Sequence, residues 1–240
     1  MRLFCFPYAG GEALSFRDWA ENLPSLVDVY AVQLPGRGGR ITEPLFTSLS
    51  PLIEVIVKAL LPHLDKPFAF FGHSMGALIS FELARLLSRE NGLQPTHLFV
   101  SGRRAPQLAD KERITYNLPE QEFIEELRRL NGTPDEVIEQ PELMEVMLPI
   151  VRADFKLCQT YVYSPGPPLS CPITAFGGLE DKEVTREHLE AWREQSSATF
   201  SLRMLPGDHF FLRESEPMFL TILSRELSRI VSLLDRRHRR

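Results

Sequence analysis

The stretch FAFFGHSMGALISFELARLLSREN, residues 68 to 91, carries three structural signals in order. Phe68 to Gly72 is a short, continuously apolar run of the kind expected for a strand covered on both faces. Gly72-His73-Ser74-Met75-Gly76 interrupts it, with a glycine two residues to either side of a serine. From Gly76 to Asn91 apolar residues fall on nearly every side of a helix, so that helix is expected to be buried. Strand, sharp turn and helix together are the context that a G-x-S-x-G elbow requires. The turn strains the serine backbone, the glycines leave room for it, and the hydroxyl is held at the sheet edge beside free helix amides. Ser74 is therefore a candidate nucleophile; the competing reading is a serine that only caps the helix.

Five more runs read as strands: LFCF (3–6), VYAVQL (29–34), HLFVSG (97–102), ITAFGG (173–178) and FSLRML (200–205). Helical patterns alternate with them. One begins at Ser50, a candidate N-cap with Pro51 at the first helical position, and others span 185–195 and 219–234. Strand–helix alternation with continuously apolar strands predicts an α/β fold, a doubly wound, mostly parallel sheet with ligands at the carboxyl ends of its strands. Residues 108–165 break the rhythm. Phe123, Ile124, Leu127 and Leu130 mark one amphipathic helix there, and 141–163 marks a longer one that Pro149 should kink. The expectation is one domain, residues 1–240, with a helical lid inserted at 108–165.

Composition narrows the function. Thirty-two acidic against 27 basic side chains give a net charge of −5, the wrong sign for general nucleic-acid binding. The basic cluster Arg236 to Arg240 reads as a frayed, solvated tail. Cys5, Cys158 and Cys171 are an odd, scattered set, which argues against a disulfide framework or a zinc site. No run approaches the roughly 20 apolar residues of a membrane span, and the N-terminus has no signal-peptide pattern. The expectation is a cytoplasmic, monomeric protein without metal or cofactor.

A serine needs a base, and the base an orienting acid, in the chain order Ser, Asp or Glu, His. After the insertion come His188, His209 and His238. His188 falls within a helical pattern and His238 in the tail. His209 follows the last strand in LPGDHFFL, where a base at the carboxyl edge belongs. His73 precedes the nucleophile and is assigned a structural role. After HLFVSG no carboxylate appears before Asp110, whereas Leu179-Glu180-Asp181 follows ITAFGG directly, making Asp181 the better acid and Glu180 its rival. Asp208, adjacent to His209, reads as a loop-former.

At this point the chain resembles the type II (editing) thioesterases that accompany non-ribosomal peptide and polyketide synthases. The likeness rests on FCFPYAGG (4–11), VQLPGRGGR (32–40), FFGHSMGA (70–77), SGRRAP (101–106), LPIVRADF (148–155), FGGLEDKEV (176–184) and LPGDHFFL (205–212). The chain opens directly on the first of these, where members often carry a short leader. The resemblance implies an α/β-hydrolase fold with a helical lid, and Ser74, Asp181 and His209 as nucleophile, acid and base. It also implies oxyanion donors on the backbone amides of Ala9 and Met75. The implied substrate is an acyl or aminoacyl thioester on the phosphopantetheine arm of a carrier protein, the only cofactor-like group called for. Tyr8, Met144, Met147, Leu148, Ile150, Val151 and Phe155 are candidate walls of an acyl pocket, set against a role in packing the lid. Arg37, Arg40, Arg103 and Arg104 are candidate contacts for an acidic carrier protein, with the PGRGGR glycines themselves read as a turn. The rival readings are a medium-chain fatty acyl-carrier thioesterase, a small-molecule serine esterase and a non-catalytic binding protein. A phosphate-binding module is disfavoured because no G-K-[ST] follows any glycine loop.

Overall fold

The computed structural model describes residues 1–108 and 113–238. Six strands, β1 (Arg2–Phe6), β2 (Asp28–Ala31), β3 (Phe68–His73), β4 (His97–Ser101), β5 (Ile173–Gly178) and β6 (Phe200–Leu205), form one sheet in the order β2-β1-β3-β4-β5-β6. Every neighbouring pair is parallel. The strands fall where the apolar runs predict them, except that β2 stops at Ala31 rather than 34. It is an edge strand whose only partner, β1, ends before Pro7; after the Val32 N–H bonds the Cys5 carbonyl at 2.9 Å, nothing remains to pair with.

Alternation along the strands explains why they read as uninterrupted apolar runs. Phe4, Phe6, Phe68, Phe70, Leu98 and Val100 point to one face, under α2 (Leu49–Leu60), α3 (Met75–Asn91) and α7 (Arg186–Glu190). Leu3, Cys5, Ala69, Phe71, Phe99 and Phe176 point to the other, under α1 (Trp19–Asn22) and α9 (Glu216–His238). A short helix, α8 (Phe211–Glu214), follows the last strand. The helix expected over 185–195 is α7 continued by a 3₁₀ turn. Helix α2 starts at Leu49, a residue before the expected cap, so Pro51 sits third in the helix. That position is free of charge for proline, because the first four N–H groups of a helix have no intrahelical acceptor. The terminal helix runs to His238, so the basic cluster begins as its last turn rather than as a frayed tail; Arg239 and Arg240 lie outside the described residues.

Between β4 and β5 the chain forms α4 (Glu120–Leu130), α5 (Asp135–Ile138) and α6 (Pro141–Gln159), with no strand among the described residues. These helices share a core of their own, Phe123, Leu127, Ile138, Met144, Leu148 and Val151. Pro149 lies inside α6 without ending it. Asp110 lies outside the described residues. Among those described, no helix is long and apolar enough to cross a membrane.

The sheet order places β1 between β2 and β3, so the winding direction reverses there. The carboxyl ends of β1 and β3 open side by side at this switch point, where doubly wound sheets bind ligands.

One buried group gives the fold a pH signature. His97 stacks on Phe99 with ring centroids 4.3 Å apart, and its Nε2 is 2.8 Å from Thr174 Oγ1. Burial depresses its pKa to about 4. A histidine depressed in the folded state contributes stability above its unfolded pKa of about 6.5, and that contribution is lost as pH falls toward the folded value. Urea unfolding at about pH 7 and about pH 4.5 should show a loss on the order of 2–3 kcal/mol from this residue. His97→Gln should reduce that pH dependence; an unchanged slope would refute the assignment.

Candidate active site

Ser74 adopts φ 52° and ψ −112°, one of two non-glycine residues with positive φ among those described. A residue held there costs of order 1–3 kcal/mol and persists only when its surroundings over-determine it. Here they do. The Ser74 N–H donates to the Ser101 carbonyl at 2.7 Å, and its own carbonyl accepts from Ala77 N–H at 3.0 Å. A Cβ on Gly72 would lie 2.1 Å from the Gly76 carbonyl oxygen, and one on Gly76 would lie 2.1 Å from that of Phe6. The two glycines thus let the end of β3, the start of α3 and the end of β1 close to backbone contact.

His209 Nδ1 is 2.8 Å from Asp181 Oδ2. The Asp181 side chain is wholly buried, and its second oxygen accepts the N–H groups of Glu183 (2.8 Å) and Val184 (3.0 Å). With Nδ1 donating to the carboxylate, the neutral ring leaves Nε2 as an acceptor. Glu180 braces the neighbouring loop by accepting the Gly207 N–H and does not bond the ring. Asp208 accepts the Phe210 N–H at 2.7 Å, a turn-forming contact as expected, and also the Asn131 side-chain amide at 2.9 Å, which ties the loop to the insertion. His188 is spent on a reciprocal cap with Thr185 at the start of α7.

His73 lies beside His209, ring centroids 5.3 Å apart, with Nδ1 2.9 Å from Ser101 Oγ. Burial above all, then the positive charges of His209 and Arg213, hold its pKa well below the ordinary histidine value. It is a neutral neighbour and adds no repulsion to a proton on His209.

Ser74 and His209 line one cavity of about 110 Å³. Among the described residues the Ser74 hydroxyl makes no hydrogen bond, to His209 or to any other group; bonds between a serine and its base often tighten only in a complex. Ala9 lines the same cavity. Neither the Ala9 N–H, in the loop after β1, nor the Met75 N–H, first in α3, donates to another group among the described residues.

Of the expected acyl-pocket residues, Tyr8, Val151 and Phe155 line the cavity. Met144 and Leu148 do not: they are buried in the insertion's own core. Met147 and Ile150 face a separate groove beside Gly10 and Ile41. Helical phase is the reason. Positions 151, 155, 158 and 159 form the stripe of α6 that meets the cavity, while 144, 148 and 151 form the stripe that meets α4 and α5. Leu127, Leu130, Thr133 and Phe210 also line the cavity and were not anticipated. The i, i+3 spacing of Leu127 and Leu130 was visible in the sequence; the direction of that face was not.

The arginines divide. Arg103 and Arg104 line the cavity, and Arg40 pairs with Glu43. Arg37 is not a surface group but is 3% exposed and forks onto Asp154 of α6, at 2.5 and 2.7 Å. Asp154 Oδ2 also accepts the Gly10 N–H at 2.7 Å. No sequence signal singled out Asp154, because one carboxylate among the charged residues of an amphipathic helix does not announce its partner.

Comparison with known proteins adds to this geometry. The protein-family model described as Thioesterase domain matches residues 1–228. The chain belongs to the thioesterase family. It is 50% identical over 228 residues to the linear gramicidin dehydrogenase LgrE of Brevibacillus parabrevis, covering 94% of this chain and 87% of that one. Among solved structures it is similar to the RedJ thioesterase from the prodiginine pathway of Streptomyces coelicolor, with 43% identity, a TM-score of 0.89, and coverage of 94% and 90%. It is also similar to the type II thioesterase BorB from the borrelidin biosynthetic cluster, with 38% identity, a TM-score of 0.86, and coverage of 94% and 92%. The family fold agrees with the six-stranded sheet and its helices.

The elbow contacts generate a test. Gly76→Ala removes no polar group of this thioesterase, yet its methyl would press on the Phe6 carbonyl. A destabilisation of at least about 1–3 kcal/mol in denaturant unfolding is expected, with loss of thioester hydrolysis in the folded fraction.

Proposed function

We propose that this thioesterase hydrolyses acyl or aminoacyl thioesters from the phosphopantetheine arm of carrier proteins in natural-product synthesis, through an acyl-enzyme on Ser74. The observation that carries the reading is the convergence on one cavity of an unpartnered serine hydroxyl, in a strained elbow, with a histidine oriented by a buried aspartate.

His209 Nε2 accepts the Ser74 proton as Oγ bonds the thioester carbon. The carbonyl electrons move onto oxygen, where the free N–H groups of Ala9 and Met75 stabilise the charge, each worth roughly 3–4 kcal/mol in sites of this type. The carbonyl then re-forms, the C–S bond breaks, and the thiolate takes the proton from His209. Water, deprotonated by His209, attacks the acyl-enzyme; the collapse returns the proton to Ser74 and releases the free acid. Asp181 stabilises the imidazolium formed in each half. The pantetheine arm belongs to the carrier protein, so the scheme calls for no resident cofactor. Arg103 and Arg104 supply positive charge suited to the phosphodiester of that arm or to an acidic carrier surface.

The cavity is partly open and is walled in part by Leu127, Leu130, Val151 and Phe155, a lining suited to an acyl group. A dehydrogenase reading, prompted by the name of one relative, lacks its usual sequence support: the chain contains no G-x-G-x-x-G run.

Mass spectrometry of carrier proteins loaded with acetyl, longer acyl and aminoacyl groups, before and after enzyme, tests this directly. Carrier thioesters should be cleaved with higher kcat/KM than free esters of the same acid. Ser74→Ala should abolish release. Asp181→Asn should lower kcat by about 10⁴-fold with little change in KM. Normal hydrolysis by Ser74→Ala would refute the acyl-enzyme, and faster cleavage of free esters would favour a small-molecule esterase.

A further inference from the structure

Three chain segments far apart in sequence meet at Asp154. It projects from α6 of the insertion, and its carboxylate and the Arg37 guanidinium are both almost fully buried. Burying such a pair removes two charges from water, and well-packed apolar residues in their place are often as stabilising or more so. Stability alone is therefore a weak reason for it. The pair has a further attachment: Asp154 Oδ2 accepts the Gly10 N–H at 2.7 Å, a charge-assisted bond to the loop after β1.

We propose that Asp154, held by the Arg37 fork, is a positioning residue that aims the Ala9 N–H at the reacting carbonyl. The inference rests on the acyl-enzyme reading above. Gly10 has φ +76°, and a Cβ there would lie 2.8 Å from Val151 Cγ2, so α6 presses directly on the loop. Val151 and Asp154 are three residues apart, on one face of the helix, and clamp Gly10 by an apolar and a polar contact together. A second brace holds the same loop from the 33–40 turn: Gln33 accepts the Ala13 N–H at 3.1 Å and donates to the Arg37 carbonyl at 3.0 Å. The Ala9 N–H itself is unpartnered among the described residues, so its direction is set by what fixes its neighbours. An oxyanion donor works by being aimed before reaction, and a displacement near 1 Å costs about 100-fold in rate. The same carboxylate makes the alignment of that donor depend on the seating of the insertion.

Two variants test this: Asp154→Asn, which keeps the shape and removes the charge, and the double variant Arg37→Met with Asp154→Leu, which removes both charges and fills their space. Each is measured for thermal midpoint, for kcat and KM on an acetyl-loaded carrier protein, and for binding of two probes. A trifluoromethyl ketone analogue of acyl-pantetheine adds to Ser74 and develops an oxyanion; a thioether analogue binds without reacting. In both variants kcat should fall by about 100-fold, and ketone affinity should fall in parallel. KM and thioether affinity should stay near those of the unmodified enzyme. The double variant should be as stable as the unmodified enzyme and still slow, which separates aim from folding. If Asp154→Asn does not fold, the double variant decides alone. Unchanged kcat in a folded variant, or equal loss of both probes, would overturn the proposal. Undiminished hydrolysis by Ser74→Ala would instead remove the acyl-enzyme scheme itself, whereas an inactive Ser74→Ala beside a fully active double variant would remove only this inference.

Discussion

The contact of Gly76 with the Phe6 carbonyl is the constraint on which the site depends. It brings the start of α3 to the end of β1 at a distance no side chain allows. Because β1 and β3 are adjacent at the switch point of the sheet, that approach holds the strained Ser74 beside the loop that carries Ala9. The strain is local, while its support is distributed. Fully buried strands beneath the elbow, Phe4 and Phe6 against Phe68 and Phe70, leave the backbone nowhere to relax.

Two buried carboxylates flank this point and differ in the company they keep. Asp181 has one oxygen on an imidazole and the other on two backbone amides. Asp154 is clasped by a guanidinium and holds a single amide. An imidazole can lose or accept a proton near neutral pH and a guanidinium cannot. The first arrangement is therefore fit for proton transfer and the second for fixed geometry. His73, pushed toward its neutral form by burial among His209 and the aromatic rings of Tyr8, Phe210 and Phe211, fills space without adding charge.

The helical insertion is joined to the loops that carry Asp181 and His209 as well as to the loop after β1. Asn131 bonds Asp208, next to His209, and Arg129 bonds Glu183, two residues beyond Asp181. Arg213 reaches the Gly132 carbonyl and the Tyr8 hydroxyl. These contacts are solvent-facing and each contributes little, on the order of 0–1 kcal/mol for the exposed ion pair. The Asp154 anchor, by contrast, is buried. The insertion is thus held firmly by the Asp154 anchor and by Leu157, which packs into the main core, and more weakly around the rim of the cavity.

Strand positions, the parallel sheet, the elbow, and the placing of Ser74, Asp181 and His209 at one edge of the sheet were legible because each depends on local signals. Apolar runs with strand period, glycines flanking a serine, and loops that follow strands at one sheet edge all act over a few residues. The edge strand's early stop was not legible, since it depends on where its partner ends. Nor were the roles of Met144, Leu148 and Arg37: the sequence shows a helix to be amphipathic and an arginine to be charged, but not which way either is turned. The sequence by itself determined the chemistry available at the carboxyl edge of the sheet. Only the tertiary structure decided which side chains enclose it, and that a buried Arg37–Asp154 pair ties the insertion to the Ala9 loop. Rotation of a helix about its axis and pairing across 117 residues are set by long-range packing, for which no local pattern is a proxy.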